Sequence, residues 1–441
     1  MPALPLRVRP SVALTGGLIF GLAVLAGAPA SAQPLRRRPG LETPDRGDAV
    51  QSDARAQRVL DVLGPEHLLR EAWRVTGKHF YEPARLGAVG WDALLERYLL
   101  EVAPARTPRE VRAVTNRMLG ELGVSHLALI SGGLWQRELA QEFLSRPTVR
   151  AGCELVLIDG KLFVNDLADG GPAEAAGLLE GDEVLTLDGV PALESSLLES
   201  AGHDPGLDGP PGFCLRVRAG VDVELVARRQ ADGPTFGATL RPAPHSLIDA
   251  TRRSVRVVER DGSKLGVIHL WHFMHADVYR TLRDALRRGG ALAEVDALVL
   301  DLRGRGGSAG VVQQILGLFS GRRAVWKRPL VALTDAGTRS AKEIFAFHWL
   351  RLGLGPIVGE RTAGACIGCA FHELSDGSVL MLPVMDVRRL TRGEVLEGKG
   401  VAPTVAVADT PLPYRAGADP ILEAGLREAA AQAVEAGVRA R

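Results

Sequence analysis

The spacing of apolar positions changes character along this chain. Between about Arg55 and Leu122 they recur at helical intervals. Ala56, Val59, Leu60, Val62 and Leu63 are followed by Leu68, Leu69, Ala72 and Trp73, and Trp91, Leu94, Leu95, Tyr98 and Leu99 form a second stripe. A third helix is predicted from Thr107-Pro108-Arg109-Glu110, a cap residue with an N1 proline and an early acid, and runs through Val111, Val114, Met118 and Leu119. From about Ala151 to Pro244 the runs become short and β-rich, with residues 155–158 and 161–164 flanking the hairpin dipeptide Asp159-Gly160. From about Arg253 to Ala408 buried strands (265–270, 297–301, 329–334) alternate with helical stretches such as 279–288, the pattern of an α/β domain. Residues 419–439 read as a last helix, a packing element or a surface arm.

The N-terminus adds an address. Arg7 and Arg9 precede an apolar stretch from Val12 to about Ala26, and Ala30-Ser31-Ala32 forms a small-x-small cleavage site, so residues 1–32 read as a secretory signal peptide. The stretch is short and rich in Gly and Ala, no other stretch approaches ~20 apolar residues, and no Cys follows the cleavage position. Residues 33–54, rich in Arg, Pro and Asp, read as a disordered lead-in. The expectation is an exported chain, periplasmic or extracellular, with no stable membrane anchor after the leader is removed. Its 441 residues accommodate two or three domains. A net charge of +1 with both signs interspersed offers nothing to a nucleic acid.

Four cysteines in an oxidising compartment permit two disulfides. Cys153 and Cys214 fall in one predicted domain and form a candidate pair. Cys366-Ile367-Gly368-Cys369 is a CxxC that reads as a local disulfide or free thiols, with a redox pair as the rival. No second CxxC or close His pair completes a zinc set, so neither a metal nor another cofactor is expected.

Two turns carry candidate chemistry. Thr338-Arg339-Ser340-Ala341-Lys342 follows the strand at 329–334 and opens a helix. A serine on such a turn is either an N-cap or a nucleophile whose oxyanion is met by the N–H groups of the new helix. Asp301-Leu302-Arg303-Gly304-Arg305-Gly306-Gly307 is a glycine-rich turn after a strand, but no Gly-Lys-Ser/Thr follows and the spacing is not GxGxxG, which argues against a nucleotide site.

The β-rich segment, with Gly171-Pro172-Ala173-Glu174-Ala175-Ala176-Gly177-Leu178 and then Gly181-Asp182-Glu183-Val184-Leu185, resembles a PDZ domain in its circularly permuted bacterial form. The resemblance implies peptide binding by strand addition, with Gly152, Cys153, Glu154 and Leu155 where the carboxylate-binding loop would be. Four further segments occur in the order of the carboxy-terminal processing peptidases and their tricorn-core relatives: residues 299–307, the Ser340 turn, Val358-Gly359-Glu360-Arg361-Thr362-Ala363-Gly364, and Glu397-Gly398-Lys399-Gly400-Val401-Ala402-Pro403. From about Trp73 to Val407 the chain resembles this serine peptidase family. The implied architecture is α/β and multidomain: an N-terminal helical region (55–150), a PDZ-like domain (151–244), a crotonase-like catalytic domain (253–408) and a C-terminal extension with its helix (409–441).

One branch of that family pairs its serine with a lysine, and Ala365 stands at the lysine position here. Lys342 is two residues from Ser340 along a helix and is predicted to point away. The tricorn-like branch uses serine, histidine and glutamate. Residues 118–127, containing Ser125-His126, and the Glu397 motif match its segments, so the resemblance implies Ser340 as nucleophile, His126 as general base, and Ser125 and Glu397 orienting the imidazole. It also implies oxyanion donors at Ala341 and at Gly306 or Gly307. His269, His272 and His348 are rival bases. Arg305 stands where the family commonly has Asn, and Lys342 adds charge to a turn usually made of Ser and Ala. The expected partner is a protein or peptide substrate. Two rival readings stay open on the sequence: a catalytically degenerate scaffold that binds peptides, and a thiol protein using Cys366 and Cys369.

Overall fold

A computed structural model of the chain describes residues 48–200, 212–322 and 324–439. The signal peptide reading (1–32) and residues 33–47 of the lead-in lie outside the described residues. The first helix runs over Asp48–Leu63, so residues 48–54, expected to be unstructured, are helical. Among the described residues no helix is long and apolar enough to cross a membrane.

The apolar strands of the α/β region build a six-stranded sheet. Arg256–Arg260 lies antiparallel to Ser263–His269, and Ala297–Asp301, Leu330–Thr334, Ile357–Gly359 and Val405–Ala406 follow in parallel. Side chains alternate across each strand, and the two faces bury different partners. Ile268, Leu298, Leu300, Leu330 and Ala332 meet the crossover helices Asp277–Leu286, Ala309–Phe319 and Ala341–Arg351. Val267, Val299, Val331 and Leu333 face the helix Pro420–Arg439 through Ile421, Ala429 and Ala430. Gly425 sets the approach of that helix, since a Cβ there would lie 2.4 Å from Leu333 Cδ2. The final amphipathic run is therefore a packing element and not a free arm.

The helices Pro65–His79, Trp91–Val102 and Pro108–Gly120 form the N-terminal core through the predicted stripes. Thr107 and Glu110 close a reciprocal capping box around Pro108, the start predicted from those residue types. This core has a part the sequence reading did not anticipate. The hairpin Gly368–Glu373 and Val379–Met385, far along the chain, joins Ala128–Ile130 in a three-stranded sheet, and Leu374, Leu380 and Leu382 pack among the helices.

Residues 153–240 hold an eight-stranded sheet. Its hairpin Cys153–Ile158 with Lys161–Leu167 turns at Asp159-Gly160, both with positive φ. None of the four cysteines is in a disulfide, so the Cys153–Cys214 pairing is absent.

Candidate active site

Ser340 and the glycine-rich turn follow adjacent parallel strands, Leu330–Thr334 and Ala297–Asp301, so both lie off the carboxyl ends of the sheet. Open α/β sheets place ligands at such edges. Ser340 is the N-cap residue of the helix Ala341–Arg351, with φ 60° and ψ −124°. A non-glycine residue held there costs on the order of 1–3 kcal/mol, and surrounding bonds must impose it. Its N–H donates to Ala365 O at 2.9 Å and to the Glu343 carboxylate at 3.0 Å. Glu343 is buried and also accepts from Thr362 Oγ1 (2.7 Å) and from the N–H groups of Gly364 (2.8 Å) and Ala365 (2.9 Å). Burial pushes its pKa up, although those bonds favour the carboxylate. The sequence reading did not single out Glu343; its only signal was an acid at N3 of a helix whose N-cap is serine.

The glycine-rich turn lies directly beneath the serine. A Cβ on Gly306 would fall 2.3 Å from Ser340 Cβ and 2.9 Å from its Oγ, and one on Gly307 would fall 2.1 Å from the backbone of Phe273. No side chain fits at either position. Phe273 N–H donates to Gly306 O, and Ser308 N–H donates to Phe273 O, each at 2.8 Å. In the first turn of the helix, the Lys342 and Glu343 N–H groups donate to Arg339 O and Ser340 O. The Ala341 N–H enters none of these backbone bonds.

Ser125, His126 and Glu397, distant in sequence, form one hydrogen-bonded chain. Ser125 Oγ donates to Glu397 Oε2 at 3.0 Å, and its N–H donates to Glu397 Oε1 at 2.9 Å. The same Oγ lies 2.8 Å from His126 Nδ1. A hydroxyl has one proton, and here it is given to the carboxylate. Ser125 must therefore accept from Nδ1–H, which in the neutral tautomer makes Nε2 the acceptor nitrogen of the ring. His126 itself has φ 59° and is 6% exposed, with Ser125 at 1%. Glu397 Oε2 also accepts from Cys366 N–H at 2.6 Å, and Cys366 adjoins Ala365, the acceptor of the Ser340 N–H. The chain from His126 and the turn of Ser340 thus meet at residues 365–366.

The rival groups are engaged elsewhere. His269 Nε2 is 3.0 Å from Arg303 O, and its ring stacks on Trp271. His272 is fully buried 3.3 Å from Glu142, and His348 Nε2 is 2.8 Å from Leu390 O. The Lys342 Nζ donates to Arg303 O at 2.8 Å and to Trp271 O at 3.1 Å. Burial, helped by the Glu343 and Glu397 carboxylates, pushes the Cys366 thiol well above its ordinary value, which argues against thiolate chemistry there.

Gly152, Cys153 and Glu154 line a cavity of about 90 Å³ together with Arg305 and Trp271. Leu155 pairs with Val164 on one side and with Phe213 of Gly212–Leu215 on the other, so the chain's own strand occupies that edge. Glu154 is ion-paired with Arg305 of the glycine-rich turn.

Residues 313–407 match the profile of peptidase family S41, and residues 65–120 match that of the tricorn protease C1 domain. A tricorn protease homolog of Streptomyces coelicolor is 29% identical over 434 residues, covering 89% of this chain and 35% of that protein. A carboxyl-terminal-processing protease of Picosynechococcus sp. is 24% identical over 398 residues, covering 81% of this chain and 87% of that one. The chain spans about a third of the length of its Streptomyces tricorn relatives. Among solved structures, the photosystem II D1 C-terminal processing protease aligns over 81% of this chain and 98% of that chain, at 22% identity and a TM-score of 0.49. The two matched segments carry the helices that lead to His126 and the turns that hold Ser340 and Glu397, and over them the chain is similar to peptidase family S41 and to the tricorn protease C1 domain.

Proposed function

We propose that this chain is an exported serine endopeptidase that hydrolyses peptide bonds through an acyl-enzyme. His126 Nε2 takes the proton of Ser340 as its Oγ attacks the scissile carbonyl, then returns it to the leaving amine; water completes the second half by the reverse route. Glu397, through Ser125, fixes the imidazole tautomer and favours the imidazolium formed on attack. The N–H of Ala341 with that of Gly306 or Gly307 receives the oxyanion. In this reading residues 253–408 are the crotonase-like catalytic domain, and residues 151–244 are a PDZ-like domain that recruits or gates protein or peptide substrate. Because the edge beside Leu155 is occupied, substrate would approach along the cavity between Glu154 and Arg305. Export rests on the leader pattern of residues 1–32.

The observation that carries this reading is the Glu397–Ser125–His126 chain, which meets the strained Ser340 turn at Ala365-Cys366. The test is hydrolysis of casein by the wild type, Ser340→Ala and His126→Ala, with circular dichroism to check the fold. Both variants are expected to lose about 10⁴-fold or more in kcat, as members of one catalytic unit do. Turnover by folded Ser340→Ala at the wild-type rate would exclude the mechanism.

A further inference from the structure

Lys342 is the largest departure from a simple peptidase turn, and its surroundings give it a task. It lies in the first turn of the helix that follows Ser340, and its side chain is fully buried. Its Nζ donates to two main-chain carbonyls, Arg303 O at 2.8 Å and Trp271 O at 3.1 Å. The carboxylates nearby are committed to other groups: Asp301 to the Arg303 guanidinium at 2.6 Å, and Asp335 to the Thr338 hydroxyl at 2.6 Å. Burying an ammonium costs several kcal/mol even after relaxation, so a lysine here is a poor choice for packing alone.

The two carbonyls belong to the two segments that shape the floor of the site. Arg303 begins the turn that brings Gly306 within contact of Ser340, and Trp271 precedes Phe273, which clasps Gly306 O and the Ser308 N–H. A single Nζ therefore ties the nucleophile helix to both walls of the proposed oxyanion pocket.

We propose that Lys342 is a positioning residue, which holds the 303–307 turn at the height where its N–H groups meet the oxyanion. The proposal rests on the serine peptidase reading above. Burial pushes the Lys342 pKa down to about 7, opposed by Asp301, Asp335 and Asp166 and reinforced by Arg303. The tie does not depend on that titration, because a neutral amine keeps two N–H donors for two carbonyls. Displacement of a reacting group by 1 Å costs about 10²-fold in rate, and loss of one oxyanion donor costs about 10²–10³-fold.

The experiment measures casein turnover, inhibition by a peptide boronate that forms a tetrahedral adduct, and thermal melting for the wild type, Lys342→Met and Lys342→Gln. Lys342→Met is expected to lower kcat by about 10²-fold with KM within about threefold, and to weaken the boronate in parallel. Lys342→Gln keeps two N–H donors on an arm one atom shorter, and is expected to recover part of both losses. A folded Lys342→Met with wild-type kcat and boronate affinity would overturn the proposal while leaving the peptidase reading intact. Loss as complete as in Ser340→Ala, with no recovery in Lys342→Gln, would also overturn it, by making the lysine a proton-transfer group. If Lys342→Met does not fold, Lys342→Gln decides: about tenfold lower kcat at unchanged KM supports positioning, and the wild-type kcat overturns it. A wild type that neither hydrolyses casein nor binds the boronate would overturn both readings together.

Discussion

The Glu397 carboxylate accepts three hydrogen bonds, two from Ser125 and one from Cys366. Each donor belongs to a different requirement of the proposed mechanism: the Ser125 hydroxyl sets the imidazole tautomer, its N–H fixes the backbone beside His126, and the Cys366 N–H anchors the loop that receives Ser340. Glutamine keeps the shape but replaces one oxygen with a donor, so at least one of the three N–H or O–H groups is left facing an N–H. Glu397→Gln is therefore expected to lose about 1–3 kcal/mol in urea denaturation. Its kcat/KM on casein should fall by about 10- to 100-fold, with kcat carrying most of the change. A drop in stability with kinetics untouched would show that Glu397 is a brace for the fold and nothing more. Identity of these residues was legible in the sequence because each stands in a short motif of distinctive composition. Their bonding was not, since no spacing rule connects residue 125 to residue 397. Glu343 shows the same limit from the other side: a buried acid with four donors looked like an ordinary first-turn glutamate until the loop at 362–365 folded back on it.

Elements with a strong period were the legible part of the fold. The stripes through Leu68, Trp91 and Val111 became helices, and the apolar runs before Arg303 and Ser340 became central strands with both faces covered. The Gly368–Met385 hairpin escaped because its destination is a contact between distant segments and leaves no periodic trace of which core it enters. It matters for the site, because Ala128–Ile130 pairs with it immediately after His126. The other edge of that short strand is held by one side chain. Asn116, on the helix Pro108–Gly120, donates from Nδ2 to Leu129 O at 3.1 Å and accepts from Leu129 N–H at 2.6 Å, acting as a substitute strand. Asn116→Ala leaves both backbone groups without that partner, which is expected to cost about 1–3 kcal/mol. It should also lower kcat/KM through displacement of His126, and Asn116→Asp should restore only the bond from the Leu129 N–H. Hydrogen exchange at residues 128–130 checks the structural half: protection unchanged in Asn116→Ala would remove the link between this helix and the imidazole.

At the scale of the molecule, the proposed site is assembled from parts that fold into different cores. His126 comes from the helical unit, Ser340 and the glycine-rich turn come from the six-stranded sheet, and the β-rich unit reaches the same place through polar contacts of Asp169 and Glu154. Trp271 Nε1 donates to Asp169 Oδ2 at 2.8 Å, and Glu154 is ion-paired with Arg305. Trp271 is also one of the two carbonyl acceptors of Lys342, so the β-rich unit is tied through this residue to the floor beneath Ser340. This is the contact through which gating of substrate by that unit would have to act. Glu154 and Arg305 are each partly exposed, and ion pairs of that kind contribute little to global stability. Their value, if the gating reading holds, lies in kcat/KM. A double-mutant cycle on Glu154→Ala and Arg305→Ala, read as kcat/KM on casein, is expected to give a coupling free energy of about 0.5–3 kcal/mol, with thermal midpoints nearly additive. Additive kinetics would mean that the β-rich unit is placed beside the active site without controlling it. Coupling in kcat/KM without coupling in stability is the outcome that only a functional contact between the two units produces.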